Sequence, residues 1–192
     1  REANDHFKLA EKSLAEFEQS SHDRENIWNI TGRNEIIDKV KNCIATAQTR
    51  ILLEVMEEEY EEVEEELRQA TLRGVNVTII AYGDISSDFA HVHLHYMGSA
   101  IKEEYGGNWI VISADDVEVV AGIVSLGTDS RAAWTRHVGL VMPITEVMIH
   151  DLYLMEIMKE HRDELEKTFG KNLVNLRRKF SIHPDFKKHY LK

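Results

Sequence analysis

Residues 50–81 read RILLEVMEEEYEEVEEELRQATLRGVNVTIIA, and this stretch decides the fold class. Ile51-Leu52-Leu53 is a continuous apolar run, as expected of a strand covered on both faces, within a strand from Arg50 to Val55. A helical pattern follows. Tyr60, Val63, Leu67 and Ala70 recur at three- and four-residue spacing on one face, and the remaining face is a wall of glutamates. Gly74 is a natural stop, and Val75 to Ala81 returns to β-branched residues. Strand, helix and strand joined by short turns form a βαβ unit, which predicts adjacent parallel strands and a right-handed crossover.

Upstream, Glu25 to Ile30 is a short mixed segment, and Thr31 to Asn34 reads as a turn in which Asn34 caps the next helix. In that helix Ile36, Ile37, Val40, Cys43, Ile44 and Ala47 form one apolar stripe. Downstream, strands are predicted at His91 to Tyr96, Trp109 to Ser113, Val117 to Ser125 and His137 to Met142. Ala114-Asp115-Asp116 is the turn of a hairpin. Pro143 fits the first turn of a helix running to about Lys167, Gly170 ends it, and a last helix covers Asn172 to Phe180. The expectation is an α/β domain over residues 25–180, with a mixed sheet of about six strands flanked by helices. A loose basic tail is expected at 181–192.

Before this domain, Phe7, Ala10, Leu14 and Phe17 are spaced as the a and d positions of a coiled-coil seam, so residues 1–20 are expected to be a dimerisation helix making a homodimer. At about two heptads the seam is short, and it reads as part of a longer helix.

The 192 residues carry 34 acidic and 23 basic side chains, a formal net charge of -11. No basic face suited to duplex phosphates is visible, so this chain by itself is expected to bind nucleic acid poorly. The single cysteine, Cys43, excludes an intrachain disulfide and a cysteine zinc site, and agrees with a cytoplasmic setting. No uninterrupted apolar run approaches the roughly 18 residues of a membrane span, and no membrane partner is expected.

Asn108 to Ser125 has the spacing of a phospholipase D catalytic motif, His-x-Lys-x4-Asp-x6-Gly-Ser-x-Asn, without its chemistry. Asp115 and Gly122 are in place. The histidine position holds Asn108, the lysine position Ile110, the serine position Ile123 and the asparagine position Ser125. An isoleucine cannot hold a phosphoryl oxygen, and an amide is no nucleophile at neutral pH. Asp115 reads as the cap of the hairpin turn, and Gly122 as a site of close strand packing. The pattern is that of a phospholipase D-like fold with an erased, non-catalytic site.

The chain also resembles the effector-binding region of the TrmB-like sugar-responsive transcriptional regulators, from about Glu25 to Phe180. The resemblance rests on Glu25 to Gly32, the glutamate-rich helix ending Arg73-Gly74-Val75, Glu104 to Trp109, Gly122-Ile123-Val124, Arg131 to Thr135 and Ile149 to Tyr153, in that order. It implies a phospholipase D-like domain that binds a small effector, a sugar being the kind the family is known for, and a dimerising connector, for which Phe7 to Phe17 would serve. It also implies DNA contact only through a winged helix N-terminal to these residues.

Three candidate sites follow from the residues. Arg131, Trp134, Thr135 and His137 combine a planar donor, an aromatic face, a hydroxyl and an imidazole, which suits a polyol or carboxylate ligand; a loop pinned by a buried tryptophan is the structural alternative. Asn108, Asp115 and Ser125 are the remnant of the erased site, and Glu54 is expected to line the same cleft. His91, His93 and His95 alternate on a strand and suit a divalent metal such as zinc, nickel or copper, with Asp84 and Asp88 close in sequence. The alternative there is a solvated edge-strand face, and no cofactor is otherwise implied.

Overall fold

The computed structural model describes residues 26–98, 107–124 and 130–180. The predicted seam residues Phe7, Ala10, Leu14 and Phe17, the tail at 181–192 and Ser125 lie outside the described residues. The α/β class read from the sequence is the one observed, a seven-stranded mixed sheet between helical layers.

The βαβ unit folds as read. β2 (Arg50–Met56) and β3 (Asn76–Tyr82) are parallel neighbours, joined by α2 (Glu57–Leu72). Before them come β1 (Ile27–Thr31) and α1 (Arg33–Thr46). After them come β4 (His91–Leu94), β5 (Asn108–Ala114), β6 (Glu118–Val124), β7 (Arg131–Thr135) and α3 (Val138–Phe169). A 3-10 turn (Lys171–Leu173) leads into α4 (Val174–Phe180). The strand order is β1-β7-β6-β5-β2-β3-β4; β2, β3 and β4 run parallel, and the remaining pairings are antiparallel.

Side chains alternate across the sheet and build two cores. Ile51, Leu53, Val55, Ile79, Ile110 and Ile112 face α1 and α2, where they meet Ile36, Ile44, Val63 and Leu67. Leu52, Met56, Ile80 and Val111 face the other way and pack with Met148 and Met155 of α3. The Ser113 and Thr145 hydroxyls, 2.7 Å apart, tie that helix to β5.

Several elements depart from the sequence reading. Residues 137–142 open α3 instead of forming a strand, and the strand is β7, immediately before. A short apolar run such as Val138 to Met142 suits a buried helix as well as a strand, and periodicity does not separate them. His137 marks the boundary: its Nδ1 accepts the Gly139 N–H at 3.0 Å, capping the helix. Pro143 therefore sits inside the helix, beyond its first turn. Asn34 is not the cap of α1. Gly32 takes that place, with φ 105 and its N–H on the Ser130 carbonyl at 3.0 Å. β1 is an edge strand in which Ile27, Trp28 and Asn29 are all exposed, so its sequence lacks the in–out alternation of a half-buried strand.

The hairpin turn has φ 54 at Asp115 and φ 58 at Asp116, the mirror-image turn that follows the twist of the flanking strands. Asp115 does not cap this turn; it reaches to the α1–β2 connection. Its carboxylate accepts the N–H groups of Gln48 at 2.8 Å, Thr49 at 2.7 Å and Arg50 at 3.0 Å, and the Thr49 hydroxyl at 2.7 Å. Partial burial raises the Asp115 pKa, but these four bonds outweigh it and hold the carboxyl at about 2. Gly122 is the close approach foreseen: a Cβ there would lie 2.4 Å from the Arg131 carbonyl oxygen on β7.

α3 is long and apolar enough to cross a membrane by length and composition, although polar residues interrupt its apolar ones and no single uninterrupted run marks it. Its inward Met148, Met155 and Met158 are buried against the domain.

Candidate functional site

Asn108 opens β5 and is buried at the start of α2. Its amide nitrogen donates to both carboxylate oxygens of Glu59, at 3.0 and 2.8 Å, and to Glu58 at 3.1 Å. Glu59 is fully buried and also receives the Arg33 guanidinium at 2.6 Å, whose other nitrogen pairs with Glu62. Asn108, at the place the motif spacing would give to a histidine, is thus an amide bound to the protein's own carboxylates. A phosphoryl group brought there would meet Glu58 and Glu59, and the nearby guanidinium is already engaged. Ile110 is fully buried in the core beneath α1 and α2.

The structure does not gather Asn108, Asp115 and Glu54 into one cleft. Asn108 and Asp115 lie at opposite ends of a seven-residue strand, about 23 Å at the usual rise. Glu54 pairs with Val111, three residues from Asn108, so the two side chains leave opposite faces of the sheet.

Arg131, Trp134, Thr135 and His137 are likewise distributed. Trp134 packs against the core on the α1 side, stacks with Trp28 at 6.1 Å between ring centres, and donates its N–H to Glu118 at 2.8 Å. The Lys39 ammonium sits 3.9 Å from its ring centre. Thr135 points to the other face; its hydroxyl donates to the Asn26 carbonyl at 2.7 Å and accepts the His137 N–H at 3.0 Å. Arg131 is exposed on β7, and the His137 ring serves as the helix cap. The tryptophan and hydroxyl fasten β1 to β7; the segment is a strand and not the loop of the structural alternative, and Trp134 is half-buried.

The three histidines point toward α3 as alternation requires, but they do not converge. His91 is exposed. His93 Nδ1 lies 3.2 Å from a Glu156 carboxylate oxygen. His95, in the turn after β4, is buried between Tyr82 and Tyr96, with ring centres 4.4 and 4.5 Å away. Burial first, and the Arg177 charge second, lower its pKa to about 4, so it is neutral and accepts the Met97 N–H at 3.3 Å. Asp88 pairs with Arg68. Among the described residues no three His, Cys, Asp or Glu side chains are placed to hold a metal ion.

Glu54 has the most unusual setting. It stands mid-strand on β2, 3% exposed, on the face covered by α3. One carboxylate oxygen has no hydrogen-bond partner. It borders a cavity of about 240 Å³ walled by Trp109, Val111, Ala121, Pro143, Ile144, Val147 and Met148. Burial, reinforced by the negative charge of Asp151 on α3, pushes its pKa up to about 8. The same surroundings raise Asp151, through burial, and Tyr82, through burial and then the charges of Glu54 and Asp151. At neutral pH this carboxyl is held mostly protonated.

Residues 26–131 match the family model described as the N-terminal subdomain of the effector-binding domain of the transcriptional regulator TrmB. The chain belongs to the TrmB family. It is 70% identical over 189 residues to the uncharacterized protein YrhO of Bacillus subtilis (strain 168), covering 98% of this chain and 69% of that protein. Solved structures similar to it include the archaeal chromatin protein TrmBL2, at 18% identity and a TM-score of 0.47, over 78% of this chain and 61% of that one. NucT from Helicobacter pylori, at 12% identity and a TM-score of 0.48, aligns over 67% of this chain and 97% of its own. Nuc from Salmonella typhimurium, a phospholipase D family member, aligns at 13% identity with a TM-score of 0.49, over 67% and 94%.

Within this TrmB-family domain, the sequence reading missed Glu59, Arg33 and Asp151. Glu59 was counted among the solvated glutamates of α2, yet it lies in line with Val63 and Leu67 at four-residue spacing, on the buried row of the helix. That row was the available signal. Arg33 and Asp151 become visible only through tertiary packing.

Proposed function

We propose that this chain is the small-molecule-sensing and dimerising part of a TrmB-family transcriptional regulator, with a phospholipase D-like site that performs no chemistry. One observation carries the non-catalytic reading: Asn108 stands where a nucleophile would, bound to Glu58 and Glu59 and thereby to Arg33. The family supplies the regulatory half. An effector occupying the domain would bias the arrangement of a homodimer joined through Phe7, Ala10, Leu14 and Phe17. DNA would be contacted by a winged helix outside these residues, in the cytoplasm. The net charge of -11 fits a part that does not itself hold the duplex.

The test has two arms. In the first, thermal unfolding is followed with sugars, sugar phosphates, organic acids and amines. A ligand at about 100 times its dissociation constant should stabilise the domain by about 2.7 kcal/mol. In the second, bis(p-nitrophenyl) phosphate is supplied and nitrophenolate release is measured. A stabilising ligand with no turnover is the expected result. Turnover abolished by Asn108→Ala would overturn the non-catalytic reading, and a melt unmoved by every compound would overturn sensing.

A further inference from the structure

Resting on the sensing reading, we infer that the cavity between β2, β5 and α3 binds an organic cation: an apolar body bearing one protonated amine, with the ammonium set against Glu54. The cavity, about 240 Å³, lies below the roughly 300–1,000 Å³ of drug-sized ligand sites, so the body is small.

The choice of a cation follows from the walls. Trp109, Val111, Pro143, Ile144, Val147 and Met148 offer apolar surface and one indole face, which favours a hydrocarbon body and a cation near the ring. Against them stands a single 3%-exposed carboxyl with an oxygen that nothing bonds. A buried carboxylate without a partner is costly, and an ammonium supplies both the opposite charge and the missing donor. A sugar needs many hydrogen-bond partners, and this wall offers only the Glu54 carboxyl and the Trp109 indole N–H. An anion would meet the nearby negative charge of Asp151, whereas an ammonium can draw the proton off Glu54 and pair with the carboxylate, which reinforces the preference for a cation. Tyr82 and Tyr96 also feel Asp151, and the Arg177 guanidinium lies toward those tyrosines and His95, so Asp151 and Glu54 set the sign at the cavity. Because Pro143 to Met148 belong to α3, a ligand here sits between the sheet and its longest helix, and filling the cavity changes how that helix rests on the sheet.

The protein is titrated calorimetrically near pH 7.5 with hexylamine, cyclohexylmethylamine and 2-phenylethylamine, and with the matching alcohols 1-hexanol, cyclohexylmethanol and 2-phenylethanol. At least one amine is expected to bind roughly tenfold or more tightly than its alcohol, since a charge-assisted contact replaces a neutral one. Its binding enthalpy should vary with the ionisation enthalpy of the buffer, because Glu54 must release its proton to pair with the ammonium. Glu54→Gln should abolish both the amine preference and the buffer dependence. Ala121→Leu, which fills the cavity from β6 without touching the carboxyl, should weaken amines and alcohols together. Amines that bind no better than alcohols, amine binding unchanged by Glu54→Gln, or no amine binding at all would each overturn the cation site. In each case a sugar, sugar phosphate or organic acid that stabilises wild type and Glu54→Gln alike would leave the sensing reading standing.

Discussion

Replacing Glu54 by glutamine should make this domain more stable at neutral pH, by an amount the structure allows to be worked out. The carboxyl has a pKa of about 8 in the fold against 4.5 for a glutamate in water. Between those values the folded state holds a proton that the unfolded chain has released. The native state therefore binds more protons, and stability falls as pH rises. The contribution is fully present below pH 4.5 and is lost progressively up to about pH 8. At 1.36 kcal/mol per pKa unit, the whole window is worth about 5 kcal/mol as an order of magnitude. Because Glu54 is almost entirely buried, solvent screening offers little relief. Glutamine has nearly the same shape and cannot ionise. Glu54→Gln should thus match wild type near pH 4.5 and exceed it by about 4 kcal/mol at pH 7.5, or roughly 8–16 °C in Tm for a domain of this size. The assay is guanidinium unfolding of both proteins at several pH values from 4.5 to 8. Taking the difference between them cancels the titration of every group not coupled to Glu54, which leaves Asp151 and Tyr82. A difference that stays flat with pH, or a variant less stable at pH 7.5, would refute the placement of Glu54 in an apolar cavity without a counter-charge.

Other perturbations probe the remaining polar anchors. Asp115→Ala removes four hydrogen bonds and should cost about 2 kcal/mol in chemical unfolding, after discounting for partial exposure. Since the Asp115 pKa is depressed to about 2, that contribution is present above pH 4 and lost as pH falls from about 4 to about 2; an acid titration followed by circular dichroism should show wild type and variant converging there. Arg33→Met strands the buried Glu59 carboxylate on Asn108 alone and should cost about 3 kcal/mol, read from the unfolding midpoint. The Cys43 thiol, pushed up to about 12 by burial and then by the charge of Glu118, should resist a disulfide reagent in the native state and react only at the rate of opening.

The sequence made the centre of the sheet legible because burial there is written in composition. The Ile51-Leu52-Leu53 run, the glycine stop at Gly74 and the β-branched Val75 to Ala81 leave little choice beyond a parallel βαβ unit. The hairpin was equally plain, since paired aspartates between apolar runs signal a turn. The periphery was harder. β7 contains Ala132 and Ala133, weak strand formers, and is held by pairing with β1 and β6; the run after it is apolar enough to imitate a strand. For the site, period-two alternation put His93 and His95 on one face but said nothing of the turn that removes His95 from the strand. Glu54 was named as a cleft residue, yet its separation from Asn108 depends on strand register, which the sequence leaves open between non-consecutive strands. The burial of Glu59 and the nearness of Asp151 to Glu54 are products of helix placement, which no local pattern encodes.

The measurement closest to the central claim uses the full-length Bacillus subtilis relative, YrhO, with a compound that raises the melting temperature of the present domain. Promoter-region DNA fragments are first screened for binding to that protein, and the tightest-binding fragment, taken as its operator, is titrated in the absence and presence of saturating compound. If the domain is a sensor, operator affinity changes by about 5- to 150-fold, and DNA changes the affinity for the compound by the same factor, as linkage requires. An operator affinity that stays the same while the compound is demonstrably bound would contradict the account, leaving a domain that binds a ligand without regulating anything through it.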